Sequence, residues 1–150
     1  MLSALGRVFL CSLGLLAAMA TKPCSRDIIT RVESLNATVQ MYSDCRLYTP
    51  TIQDYKQKCP KAALTCFASE VKVLTQELEI LGRAEKSRRK NINSELKRLA
   101  QMFNQEESEC RLCEVLQEEN APRFLENLFL SLEMMNRQHC RTVRRRRLGA

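Results

Sequence analysis

Four amphipathic stripes, separated by connections of very unequal length, constrain this chain more than any other feature. In SRDIITRVESLNATVQMY, Ile28, Val32, Leu35, Val39 and Tyr42 recur at steps of four, three, four and three, the spacing that lines one face of an α-helix. Ser25 can cap this first helix, and Asp27 suits the positive end of its dipole. The second stripe, Pro60 to Leu81, uses Phe67, Val71, Leu74, Leu78 and Leu81, with Pro60 in the first turn and Gly82 as the stop. The third predicts a helix over Asn91 to Phe103 through Ile92, Leu96, Leu99 and Phe103. The fourth, from Pro122 to about Gln138, uses Leu125, Leu128, Leu132 and Met135, with Phe124 and Phe129 beside them. Strand alternation is convincing nowhere.

Stripes of this kind must be buried on one another, which gives an all-α four-helix bundle. Loop length selects its topology. Ser43 to Cys59 and Asn104 to Ala121 are long connections, whereas GRAEKSRRK between the second and third helices is short. Two long crossovers flanking a short turn predict an up-up-down-down order. A ferritin-like bundle has one long crossover and needs Glu-x-x-His pairs, which the lone His139 cannot supply.

The N-terminus sets the redox compartment. Arg7 precedes an apolar run, Val8 to Ala20, that ends in the small-x-small triplet Ala18-Met19-Ala20, the pattern of a cleaved secretory leader. The expected division is therefore a leader over residues 1–20, a helical domain over 21–140 and a basic tail over 141–150. No later segment approaches the ~20 apolar residues of a membrane span, so a secreted, extracellular chain is expected, without membrane insertion after cleavage. Removing Arg7 lowers the net charge from +7 to +6, and removing Cys11 leaves seven of eight cysteines.

In an oxidising compartment those cysteines read as disulfides. The C-x-x-C pair Cys110–Cys113 is a poor zinc site, because its nearest fellows, Cys59 and Cys66, are not closely spaced and no His lies near. It is also a poor redox centre, since no βαβ setting surrounds it. No catalytic residue, metal ligand or cofactor is expected. Cys59 and Cys66 flank the start of the second helix, which the last crossover can pass. Cys59–Cys110 with Cys66–Cys113 would pin that crossover, and the swapped pairing stays open on these residues alone. Cys24 and Cys45 cannot pair, because the helix between them holds them about 30 Å apart and a bridge needs Cα atoms within about 7 Å. An antiparallel first and fourth helix makes Cys24–Cys140 the third bridge, leaving Cys45 odd.

Leu47-Tyr48-Thr49, then CPKAALTCFASEVKVLTQELE, then CRLCEVLQEENAPRFLENLFLSLEMM resemble the interleukin-15 and interleukin-15-like cytokines, with interleukin-2 and interleukin-21 as more distant kin. The short leader and basic tail favour the interleukin-15-like branch. The resemblance implies the up-up-down-down cytokine fold, the two crossover disulfides paired as above, and no enzymatic activity. It implies that an interleukin-15 receptor alpha-type chain binds at Tyr48, Glu70, Val73, Glu77 and Glu114. It further implies an interleukin-2 receptor beta-type chain on the first and third helices. There the family relies on an aspartate; Ile28 or Thr30 occupies that position here, with Asp27 and Glu33 as the neighbouring carboxylates. A common gamma-type chain is implied at the end of the fourth helix, where Glu133 stands for the family's glutamine.

RAEKSRRK (83–90) and RTVRRRR (141–147) lack interleaved aromatics, so nucleic acid is not an expected partner; contact with heparan sulfate is the functional reading of this charge. Asn36-Ala37-Thr38 is an N-glycosylation sequon. The competing function is a secreted cationic host-defence protein acting on membranes or sulfated glycans. It is disfavoured because the stripes face inward and the positive charge is confined to one loop and the tail.

Overall fold

The computed structural model describes residues 22–39, 44–56, 59–80, 86–103 and 109–140. The leader, Tyr42, Leu81, Gly82 and the tail all lie outside these residues. The four stripes become four long helices: α1 (Asp27–Val39), α3 (Pro60–Ile80), α4 (Lys86–Gln101) and α5 (Ala121–His139). A short α2 (Ile52–Lys56) sits in the first crossover. Each stripe is buried: Ile28, Val32, Leu35 and Val39 from α1; Phe67, Val71, Leu74 and Leu78 from α3; Ile92, Leu96 and Leu99 from α4; and Leu125, Leu128, Leu132 and Met135 from α5. Phe67 and Phe124 meet edge to face at 5.5 Å in the middle of this core, a geometry that adds to the value of burying both rings.

Chain direction follows from the ends. Cys24 and Cys140 are bonded with their Cα atoms 5.4 Å apart, which sets the start of α1 against the end of α5 and makes the two antiparallel. Beside this bridge the Ser25 amide donates to Asn136 Oδ1 at 3.0 Å, and Asn136 Nδ2 donates to the Ser25 carbonyl at 2.8 Å. Ser25, expected as a cap, thus stands two residues before α1 with its backbone tied to α5. At the start of α5, Asn120 accepts from the Arg123 amide at 2.9 Å, the usual cap for an orphan donor. The architecture is the all-α, up-up-down-down bundle with two long crossovers.

Three features depart from the sequence reading. First, α4 begins at Lys86, five residues before Asn91. Its first turns, KSRRK, carry no apolar stripe to mark them, although Lys and Arg are good helix formers. Second, α4 closes at Gln101, where Met102 and Phe103 donate to the Leu99 and Ala100 carbonyls, in a tightened three-residue turn. Phe103 leaves the helix and stacks edge-on to Tyr55 at 6.3 Å and His139 at 5.6 Å.

Third, the crossovers pair as strands. β1 (Arg46–Tyr48) and β2 (Glu118–Asn120) are antiparallel, with Arg46 opposite Asn120, Leu47 opposite Glu119 and Tyr48 opposite Glu118. Glu-Glu-Asn is a poor strand former; it pairs because Leu47, fully buried, anchors β1 to the core. The Thr49 amide extends the ribbon to the Gln117 carbonyl at 3.0 Å. Arg111 of the last crossover also donates from Nε and a terminal nitrogen to Asp54 of α2, at 3.0 and 2.6 Å.

Candidate functional site: an acidic face beside the second crossover

The second crossover is fixed to α3 by two bridges. Cys59–Cys110 and Cys66–Cys113 have Cα separations of 5.9 and 5.4 Å, well inside the bonding range. Between and beyond them the chain makes one 3₁₀ turn, Cys113–Val115. Cys66 and Glu70 are one helical turn apart on α3, so the bridge at Cys66 sets the turn carrying Glu114 against this part of the helix. On the other side the Tyr48 amide of β1 donates to Glu70 Oε2 at 2.9 Å. Tyr48 and Glu70, far apart in sequence, are thereby joined midway along α3, with Glu114 on the turn bridged to the same helix. Val73 and Glu77 continue along α3, Val73 45% exposed and Glu77 open to solvent.

The electrostatics follow from this packing. Burial raises the Glu70 carboxyl above the usual range; the Tyr48 amide opposes the rise and Glu118, opposite Tyr48 in the ribbon, adds to it. Glu70 is therefore a half-buried carboxylate whose charge the protein itself solvates poorly, a group that gains from a cationic partner. Glu77 accepts from the Cys45 thiol. Burial, that hydrogen bond and the nearby Glu77 and Glu70 charges raise this thiol to about 12. Cys45 is buried and unbridged, the odd cysteine of the sequence.

The remaining sequence candidates lie elsewhere. Asp27 and Glu33 are exposed on α1. Glu133, on α5, is half-exposed and pairs with Arg137 at 3.5 Å. Asn36 is half-buried on α1, and its Oδ1 is buried without a hydrogen-bond partner among the described residues; the sequon's Thr38 hydroxyl donates to the Ser34 carbonyl at 3.1 Å. The structure does not bring these groups to the acidic face. It does add neighbours that the sequence reading did not assign to this face: Cys45, Glu118, and the exposed Leu112 and Val115. The last two lie in plain view in CRLCEVL, but there the cysteines dominate the reading.

Among the described residues, no group of three or more His, Cys, Asp or Glu is placed to hold a metal ion. Among the same residues, no helix is long and apolar enough to cross a membrane. The face presents carboxylates, exposed apolar side chains and a strap held by disulfides. A family model described as Interleukin 15 matches residues 8–136. Interleukin-15 of Marmota monax is 31% identical over 110 residues, an alignment covering 68% of this chain and 60% of that protein. The chain thus spans less than two thirds of that relative's length.

Proposed function

The chain belongs to the interleukin-15 family, and on that premise we propose that it is a cytokine, not an enzyme, whose acidic face binds an interleukin-15 receptor alpha-type chain. Tyr48, Glu70, Val73, Glu77 and Glu114 carry the contact. The observation behind this reading is the junction of β1, α3 and the disulfide-pinned crossover, which holds Glu70 half-buried with its charge incompletely satisfied. Lys or Arg side chains on a small receptor domain would satisfy it, giving fast and salt-sensitive association.

In the same reading, residues 1–20 are removed on export, residues 21–140 form the secreted domain, and 141–150 remain as a basic tail. The cytokine then assembles an interleukin-2 receptor beta-type chain at α1 and α4, with Asp27 and Glu33, and a common gamma-type chain at α5, with Glu133. The complex signals by bringing those chains together on lymphocytes. Asn36 carries the glycan, and the basic charge at the start of α4 and in the tail retains the protein on heparan sulfate.

The test is binding of the chain, expressed from residue 21, to a soluble interleukin-15 receptor alpha domain. Glu70→Lys and Glu77→Lys should each slow association and flatten its salt dependence, and together they should lower affinity by about 100-fold, roughly 2.7 kcal/mol. Binding indifferent to both reversals removes the acidic face from the interface. No binding at all removes the alpha-type partner.

A further inference from the structure

A 3₁₀ turn repeats every three residues, so it sorts the crossover into faces. The Val115 amide donates to the Leu112 carbonyl and the Leu116 amide to the Cys113 carbonyl, each at 3.1 Å. Cys113 and Leu116 share the inner side, one bonded to Cys66 and the other buried. Leu112 and Val115 share an outer side, and they remain 68% and 64% exposed. Glu114 falls on the third side and is also exposed.

Isolated apolar residues on a surface need no explanation. Two on one side of a single turn, in a segment immobilised by Cys59–Cys110, Cys66–Cys113 and the Arg111–Asp54 pair, are different. Their conformation is set before any partner arrives, so burying them costs little ordering entropy. The strap that carries them also carries Glu114 and Glu118, and the Glu118 charge acts on Glu70.

We propose that Leu112 and Val115 are the apolar anchor of the alpha-type interface. They enter a hollow on the receptor domain whose rim carries the Lys or Arg groups that meet Glu114 and Glu70. This rests on the receptor reading above and assigns specificity within it: the carboxylates govern the encounter rate and salt dependence, while the leucine–valine pair governs residence time. The expected division follows from the physics, since rim charges act chiefly on association and desolvated anchors on dissociation.

The test uses the chain from residue 21 and the soluble interleukin-15 receptor alpha domain, with kinetics followed across a salt series. Leu112→Ser with Val115→Ser should raise the dissociation rate and lower affinity at least about tenfold, roughly 1.4 kcal/mol, with the salt slope unchanged. Both side chains are exposed, so the melting temperature serves as the folding control. Val115→Thr, which keeps the side-chain shape and replaces one methyl by a hydroxyl, should weaken binding about threefold even where the double variant folds poorly. Unchanged dissociation in folded variants, alongside weakened binding by Glu70→Lys, overturns the anchor and leaves the receptor reading standing. Absence of wild-type binding overturns both. Self-association of the wild type that the double variant abolishes, with receptor binding intact, assigns the pair to a second copy of the chain and also overturns the proposal.

Discussion

Replacing Cys66 and Cys113 together by Ala should cost stability by an amount that depends on the neighbouring bridge. Taken alone, a cross-link closing a loop with a sequence separation of 47 stabilises by about 4 kcal/mol on the chain-entropy relation. Cys59–Cys110, with a separation of 51, already closes nearly the same loop. What the second bridge adds is the small ring from Cys59 to Cys66 and from Cys110 to Cys113, about ten residues, for which the same relation gives about 3 kcal/mol. Losing either bridge should therefore cost about 3 kcal/mol, and losing both about 7, so the two losses do not add. For a domain of this size, 3 kcal/mol corresponds to a fall in melting temperature of roughly 10 °C. The assay is equilibrium urea unfolding, followed by circular dichroism, of the wild type, the two variants each lacking one crossover bridge and the variant lacking both, all keeping Cys24–Cys140. A variant lacking one crossover bridge yet as stable as the wild type would refute the reasoning. So would a variant lacking both that is no less stable than those lacking one.

Leu47→Ala should cost about 3 kcal/mol, because Leu47 is fully buried under the ribbon; urea unfolding reads the loss. Glu109, at a φ of 67°, holds a backbone region that disfavours a side chain, so Glu109→Gly should raise stability by about 0.5–1 kcal/mol in the same assay. Iodoacetamide should leave Cys45 unmodified in the native protein at pH 8 and label it after unfolding, because its thiol is buried and raised to about 12. Acid should act through His139, whose pKa is lowered by burial and by Lys22. The folded state prefers the neutral ring, so stability holds above the ordinary pKa of about 6.5 and falls below it as the unfolded chain takes up the proton. His139→Gln should flatten that part of a stability profile measured from pH 7.5 to 5.5.

Much of the bundle is legible in the sequence because burial imposes a 3.6-residue period that Phe67, Val71, Leu74 and Leu78, or Leu125, Leu128 and Leu132, display openly. Crossover lengths then carry the topology, from which the Cys24–Cys140 bridge follows. The ribbon is not legible, since Arg46–Tyr48 and Glu118–Asn120 are too short to alternate and too polar to score as strands. Only the burial of Leu47 and the pinned crossover hold them together. The first turns of α4 escape notice for the opposite reason: KSRRK is helical without an apolar stripe in its sequence. At the candidate site, Glu70 and Glu77 are readable as one helical face. The Tyr48 amide on Glu70 and the Cys45 thiol on Glu77 are not, because both depend on where β1 crosses α3. Leu112 and Val115 acquire meaning only when the 3₁₀ turn sorts CRLCEVL into an inner and an outer side.

Hydrogen exchange on the chain with and without a soluble interleukin-15 receptor alpha domain tests the central claim most directly, because it maps the contact without altering a residue. The account predicts slowed exchange at residues 44–49, along the Glu70–Glu77 stretch of α3 and over 110–118, with α1 and α5 unchanged. Protection confined to α1 and α5, with β1 and the disulfide-pinned crossover exchanging as in the free protein, would contradict it.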